Sequence, residues 1–249
     1  MEEVTFWLLA VVAAALVGLS KGGLPAVGML SVPVMALQIP PVLAAGILLP
    51  VYVISDVFGL WAYRRAFDRK VLLYLLPGAV VGVAVGGLTA SVVPESAVTL
   101  LIGAIGVAFS LNLLLRRPVE GPPREATPGP GVFWGVVTGF TSFVSHSGAP
   151  PFQVYALPLR LEKAVFAGTS TIAFAVINAV KLIPYGLLGQ LNLANLKVSA
   201  VLTLPAVASV FLGVWLVRVL PAKAFFALVT WSLLLISLKL VWDGLHGVI

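Results

Sequence analysis

Long apolar runs, each close to the length that crosses a lipid bilayer and nearly free of charge, fill most of this chain and leave it little choice of fold. The longer runs cover roughly residues 41–63, 71–89, 95–115, 164–186, 196–217 and 222–242, and shorter ones lie at 4–20, 26–38, 131–144 and 151–159. A helix needs about 20 residues, within a range of about 17 to 25, to span the hydrocarbon core. The longer runs meet that length. The shorter runs come in pairs around two breaks and include pieces too short to cross comfortably alone, so they read as two helical hairpins that enter and leave on one side. With 60% hydrophobic and 10% charged residues, the chain cannot clothe a soluble core in polar surface. An all-α polytopic membrane protein is expected, with the bilayer as its surroundings.

The net charge of +6 would suggest a nucleic-acid partner in a soluble domain. Here the basic residues sit in short loops between apolar runs, as cytoplasmic loops require, and no nucleic-acid partner is expected. There is no cysteine, hence neither a disulfide framework nor a thiolate metal site. Met1-Glu2-Glu3 lacks a basic n-region, so the first segment is expected to stay in the mature protein rather than be cleaved as a signal peptide.

The stretch Pro118-Val-Glu-Gly-Pro-Pro-Arg-Glu-Ala-Thr-Pro-Gly-Pro130 is too rich in proline and glycine for a helix and reads as an exposed cytoplasmic linker, 118–130. It divides the chain into halves, 1–117 and 131–249. Aligning them sets Gly22-Gly23 on Ser147-Gly148, Pro25 on Pro150, Pro33 on Pro158, Gly46 on Gly168, Asp56 on Asn178, Tyr63 on Tyr185 and Pro94 on Pro221. Each half is then a broken, re-entrant hairpin (about 4–38 and about 131–159) followed by three transmembrane helices. An odd number of crossings per half makes the two repeats inverted.

In that topology Arg64, Arg65, Arg69, Lys70, Arg116, Arg117, Arg124, Arg160, Lys163, Arg218 and Lys223 share one face, with Lys197 and Lys239 opposite. Eight separate crossings would give a weaker bias. The positive-inside rule therefore favours the hairpins and puts both termini outside the cytoplasm. Trp7, Trp61, Trp134, Trp215 and Trp242 fall near segment ends, where indoles prefer to sit, while Trp231 does not and is expected to pack.

The breaks themselves are Gly18-Leu-Ser-Lys-Gly-Gly-Leu-Pro25 and Phe143-Val-Ser-His-Ser-Gly-Ala-Pro-Pro151. Broken membrane segments at matching points of a repeat point to a transporter's substrate site. Unwound backbone exposes N–H groups, and a restarting helix presents its positive end, so an anion suits the gap. Hairpins entering from opposite sides are expected to meet near the midplane.

The sequence resembles the TauE/SafE family of sulfite and organosulfonate exporter-like membrane proteins. The resemblance runs over both halves and is weakest in the linker. Its carriers are Gly18-Leu-Ser-Lys-Gly-Gly23 with Val32-Pro33, Gly139-Phe-Thr-Ser-Phe-Val144, His146 through Gln153-Val-Tyr155, Leu157-Pro158, Arg160-Leu-Glu-Lys163, Gly168-Thr-Ser170, and Asn178-Ala-Val-Lys181 with Pro184-Tyr185. It implies a multi-pass protein of the cytoplasmic (inner) membrane of a prokaryote that transports small sulfur-containing oxyanions such as sulfite or a sulfoacetate-like molecule. Leu24-Pro25-Ala26 and Gly148-Ala149-Pro150-Pro151 depart from the more glycine-rich family pattern and bear on how closely backbone approaches a substrate.

Lys21 is the sharpest single residue. A charge at the bilayer centre costs about 2.5 to 3.5 kcal/mol and needs a partner or a role. Either the first segment crosses fully and Lys21 snorkels to the far headgroups, or Lys21, with Ser20, Gly22 and Gly23 beside it, attracts an anion at a hairpin tip. His146 holds the equivalent tip, as a donor to the anion, as a titrating group that couples transport to protons, or as a neutral histidine bonded within the turn. Ser145 and Ser147 either donate hydroxyls to an oxyanion or cap the helix starting near Pro150, with Gly148 between. Asn178 and Lys181 share a helix face. Lys181 either approaches the substrate or pairs with Asp56, the repeat-equivalent of Asn178. Thr169, Ser170 and Gln153 line the route, or the hydroxyls bond back to helix carbonyls. Gly82-Val-Ala-Val-Gly86 is a small-xxx-small face of the kind that packs helices within a chain more often than across a dimer, and a homodimer stays open.

Missing chemistry narrows the function. No glycine-rich loop ending in Gly-Lys-Ser/Thr is present, so ATP is not bound by that route. With two histidines and few acids a metal site is not expected, nor is any cofactor. The Ser-His neighbours have no evident orienting carboxylate, so an enzyme is not expected. The expectation is a secondary transporter that exports a small organosulfur or sulfur oxyanion by alternating access. Uptake of such an anion by the same fold, and a non-transporting membrane scaffold, are the alternatives.

Overall fold

A computed structural model describes residues 2–89, 94–115 and 123–248, and among these the chain is all-helical. The order is α1 (Glu2–Lys21), a 3₁₀ turn (Pro25–Leu30), α2 (Ser31–Ala36), α3 (Pro41–Tyr63), α4 (Arg69–Thr89), α5 (Glu95–Leu115), α6 (Pro128–Ser145), α7 (Ala149–Ala156), a second 3₁₀ turn (Leu157–Leu159), α8 (Lys163–Leu187), α9 (Leu193–Val219) and α10 (Ala222–Val248). Among the described residues seven helices are long and apolar enough to cross a membrane: α1, α3, α4, α5, α8, α9 and α10. The hairpin topology leaves α1 out of that set, yet its 20 residues rise about 30 Å, a full hydrocarbon thickness.

The proline-rich linker is shorter than expected. Residues 118–122 of it, like Arg116 and Arg117, lie outside the described residues. Pro128-Gly129-Pro130 form the first turn of α6 rather than linker. First-turn N–H groups have no acceptor within a helix, so proline costs nothing there and its fixed φ suits the start.

The helices gather into two compact units, residues 1–67 with 167–220 and residues 68–166 with 221–249. Each draws helices from both sequence halves. In the first unit α1 lies on α9 through glycine: a Cβ on Gly22 would come 2.5 Å from the Cα of Gly213, and one on Gly18 2.0 Å from the carbonyl oxygen of Ala206. In the second unit α4 lies on α6 the same way, a Cβ on Gly82 falling 2.1 Å from the Val136 carbonyl and one on Gly139 2.0 Å from that of Ala79. Lipid gives helices no hydrophobic reason to associate, so such small-residue faces are what allow close van der Waals packing. The Gly82–Gly86 face thus packs within the chain.

Both breaks close on themselves. After α1 the Leu24 N–H donates to the Leu19 carbonyl and the Gly23 N–H to that of Ser20, with Gly23 at φ +115°. That is a Schellman termination, and a glycine is the residue that enters this φ without strain. After α6 the N–H groups of His146 and Ser147 both donate to the Thr141 carbonyl. Here His146, not a glycine, takes the left-handed conformation at φ 53°.

Candidate functional site

The first unit buries charge where α1 ends. Lys21, the last residue of α1, is 3% exposed and its Nζ lies 2.8 Å from Asp56 Oδ1 on α3. The other carboxylate oxygen, Oδ2, accepts a hydrogen bond of 2.8 Å from Asn178 Nδ2 on α8. The Lys21 ammonium also stands 5.0 Å from the centre of the Tyr52 ring and 5.8 Å from that of Phe174, within cation–π range. Snorkelling is therefore not what Lys21 does. A cation at this place is further favoured by the negative end of the α1 dipole.

Two helix faces build this environment. On α3, Tyr52, Asp56, Gly59 and Tyr63 recur at steps of three and four residues and so share a side. On α8, Thr171, Phe174, Asn178, Lys181 and Tyr185 do the same. Their side chains also fix the backbone of the break. Tyr63 Oη donates to the Gly22 carbonyl at 2.6 Å and Thr171 Oγ1 to the Lys21 carbonyl at 3.1 Å. Further on, Tyr52 Oη and Ser31 Oγ each reach the Gly28 carbonyl at 2.7 Å. A Cβ on Gly59 would fall 2.9 Å from the Lys21 carbonyl oxygen, so α3 and the tip of α1 meet backbone to backbone.

Lys181 is 2% exposed, its ammonium 5.8 Å from the Tyr185 ring centre and repelled by that of Lys21. Lys21, Asp56 and Lys181 are the buried charged side chains among the described residues, and all belong to this unit. The only other acids in its sequence are Glu2 and Glu3. They start α1, about 27 Å of helix away from Lys21. Among the described residues the unit thus buries two lysines and one carboxylate, an excess of basic over acidic side chains. The ion pair that Asp56 makes is with Lys21, whereas the pairing weighed from the sequence, beside a substrate role, was with Lys181.

The neighbours of Lys21 have structural work. Ser20 Oγ bonds back to the Val17 carbonyl at 2.7 Å and touches Gly28. Gly22 meets Gly213, and a Cβ on Gly23 would fall 2.7 Å from both Tyr63 Oη and the Cβ of Ala167. Ser170 Oγ bonds back to the Ala167 carbonyl at 2.8 Å, and Thr169 beside it is fully buried.

The residues of the second break lie in the second unit, so the site described above is one that the first unit builds from its own helices. His146 is half-buried. Ser145 Oγ bonds back to the Thr141 carbonyl at 3.3 Å and Ser147 Oγ to the Ser145 carbonyl at 2.9 Å. Neither caps α7, whose N-cap is Gly148 with no side-chain bond. The positive end expected of the restarting helices is also poor in donors. Pro150 and Pro151 remove N–H groups from the first turn of α7, and after α1 the chain restarts as a 3₁₀ turn with Pro25 leading it. Gln153, by contrast, is fully buried on α7.

Tyr52, Tyr63, Thr171 and Phe174 belong to the site and were not singled out from sequence. The signal was their register: each stands four or seven residues from Asp56 or Asn178.

The Sulfite exporter TauE/SafE family profile matches residues 9–240, a span that contains both breaks and the whole charged cluster. No curated protein and no solved structure matches the chain. With nearly its full length matched, the chain belongs to the sulfite exporter TauE/SafE family of membrane transporters.

Proposed function

We propose that this protein is a secondary transporter that exports a small sulfur oxyanion or organosulfonate by alternating access, and that the charged cluster of the first unit supplies the anion's counter-charge. One observation carries the reading: two buried ammonium groups, Lys21 and Lys181, stand on membrane-spanning helices with a single buried carboxylate, Asp56. Each intramembrane charge costs about 2.5 to 3.5 kcal/mol unless compensated. Asp56 pairs with Lys21, and a monovalent anion at the cluster balances the excess of buried lysines over buried carboxylates. The loaded cluster is then neutral and the empty one cationic, which draws anions in and makes the loaded form the cheaper one to carry through the membrane interior. Asn178 holds Asp56 to one side through Oδ2, so the carboxylate pairs with Lys21 while the shared face of α8 presents Lys181.

Direction follows from the field. Moving one negative charge outward gains about 2.3 kcal/mol per 100 mV of inside-negative potential, so export runs without a second ion. The basic loops around Arg64, Arg160 and Arg218 face the cytoplasm in this reading.

Counterflow of radiolabelled sulfite, sulfoacetate and taurine in proteoliposomes tests it. Saturable flux of at least one of these anions is expected, together with its loss in Lys181→Met. The absence of saturable flux for all three, or flux indifferent to both Lys21→Ala and Lys181→Met, refutes it.

A further inference from the structure

Gln153 is 0% exposed, and neither its Nε2 nor its Oε1 has a hydrogen-bond partner among the described residues. Ser237 Oγ, on α10 of the same unit, is equally buried and equally unmatched among them. The two share a neighbourhood. A Cβ on Gly106 of α5 would fall 2.1 Å from Ser237 Oγ and 3.6 Å from the Cβ of Pro150. Pro150 precedes Gln153 by three residues, one turn along the same face of α7.

Some hydroxyls of this unit are satisfied by their own backbone, whereas Thr138 Oγ1 and Tyr155 Oη are buried and, like Gln153, unmatched among the described residues. Ser110 Oγ donates to the Gly106 carbonyl at 2.7 Å, and Ser145 and Ser147 bond within the break. A buried carboxamide left with both donor and acceptor unmet bears its full desolvation penalty, and lipid supplies it no partner. Among the described residues every buried polar side chain of this unit is uncharged. A matching ligand must therefore accept from Nε2 and donate to Oε1.

We propose that Gln153 and Ser237 form an uncharged subsite in the second unit that takes a small oxyanion in its protonated, hydrogen-donating form. This rests on the transporter reading above. The ligand's oxygens accept from Gln153 Nε2 and Ser237 Oγ, and its proton-bearing group donates to Gln153 Oε1. A fully ionised oxyanion has no donor for Oε1 and would leave that acceptor unmet. The subsite thus selects protonation state, while the lysine cluster of the first unit selects charge.

Thermal unfolding of the full-length protein in detergent, followed by tryptophan fluorescence, reads the subsite without transport. Hydrogen sulfite is expected to raise the wild-type midpoint, and methanesulfonate, which only accepts hydrogen bonds, to raise it less. Gln153→Met keeps the volume and removes both polar atoms. It is expected to raise the midpoint of the unliganded protein and to lose most of the response to hydrogen sulfite. Ser237→Ala should weaken that response too, and serves if the first variant does not fold. An equal response in wild type and both variants, a response to methanesulfonate as large as that to hydrogen sulfite, or no wild-type response overturns the subsite. Counterflow separates the two proposals. Wild type without saturable sulfite flux overturns the transport reading, whereas an unchanged KM in Gln153→Met overturns the subsite alone. The expected KM rise is about tenfold or more.

Discussion

Asp56→Asn should damage this protein more than Lys21→Met, although the two residues form one ion pair. Breaking a buried pair by removing one partner costs about 3 to 5 kcal/mol, chiefly because the survivor is left uncompensated. The two deletions leave different survivors. After Lys21→Met, Asp56 keeps its 2.8 Å hydrogen bond from Asn178, and the cluster holds one positive and one negative charge. After Asp56→Asn, Lys21 and Lys181 remain as two buried cations with no carboxylate nearer in the unit than Glu2 and Glu3. The aspartate variant should therefore lie at or above the upper end of the range, about 5 kcal/mol, and the lysine variant toward the lower, about 3 kcal/mol. The double variant leaves only Lys181 charged and should recover part of the loss, a coupling of about 1 to 3 kcal/mol. Reversible unfolding of the four proteins in mixed micelles measures all three quantities. Equal destabilisation by the two single changes, or strict additivity in the double, refutes the charge count.

Gly22→Ala should separate α1 from α9, because its Cβ would be 2.5 Å from the Cα of Gly213. A loss of about 1 to 3 kcal/mol in the same unfolding assay is expected, and an unchanged midpoint contradicts the close approach. Tyr63→Phe removes the 2.6 Å bond to the Gly22 carbonyl and Thr171→Val the 3.1 Å bond to that of Lys21. Each should cost about 0.5 to 1.5 kcal/mol, and the effects should exceed additivity, since both hold one stretch of backbone. In liposomes clamped at 100 mV, an uncoupled monovalent anion should distribute about fiftyfold across the membrane. A distribution indifferent to the clamp shows that a second ion moves with it.

The helices and their breaks were legible because membrane length and glycine–proline punctuation are properties of short segments. Gly22-Gly23-Leu24-Pro25 can hardly continue a helix, and Gly23 does end α1. Pro128 misled because proline's effect depends on whether it opens a helix or interrupts one, and composition alone does not say which. The partner of Asp56 was not legible. Spacing puts Asn178 and Lys181 on one face, but whether Asp56 meets Lys21 or Lys181 depends on the depth at which α1 stops beside α3, a tertiary quantity. Tyr52, Tyr63 and Phe174 were passed over because aromatic residues in apolar segments usually only pack. What marks them is phase relative to the one intramembrane acid of the unit, and that phase was there to be read. The serines of the second break show the opposite case, hydroxyls that looked available and bond their own backbone.

Tyr63 and Thr171 hold the carbonyls at the tip of α1 from α3 and α8, and Gly59 lets α3 touch it directly. A tip tethered in this way cannot serve as a swinging gate, since any excursion of its own would tear those bonds inside a medium that offers no replacements. Lys21 must travel, if it travels at all, as cargo bolted to its three helices.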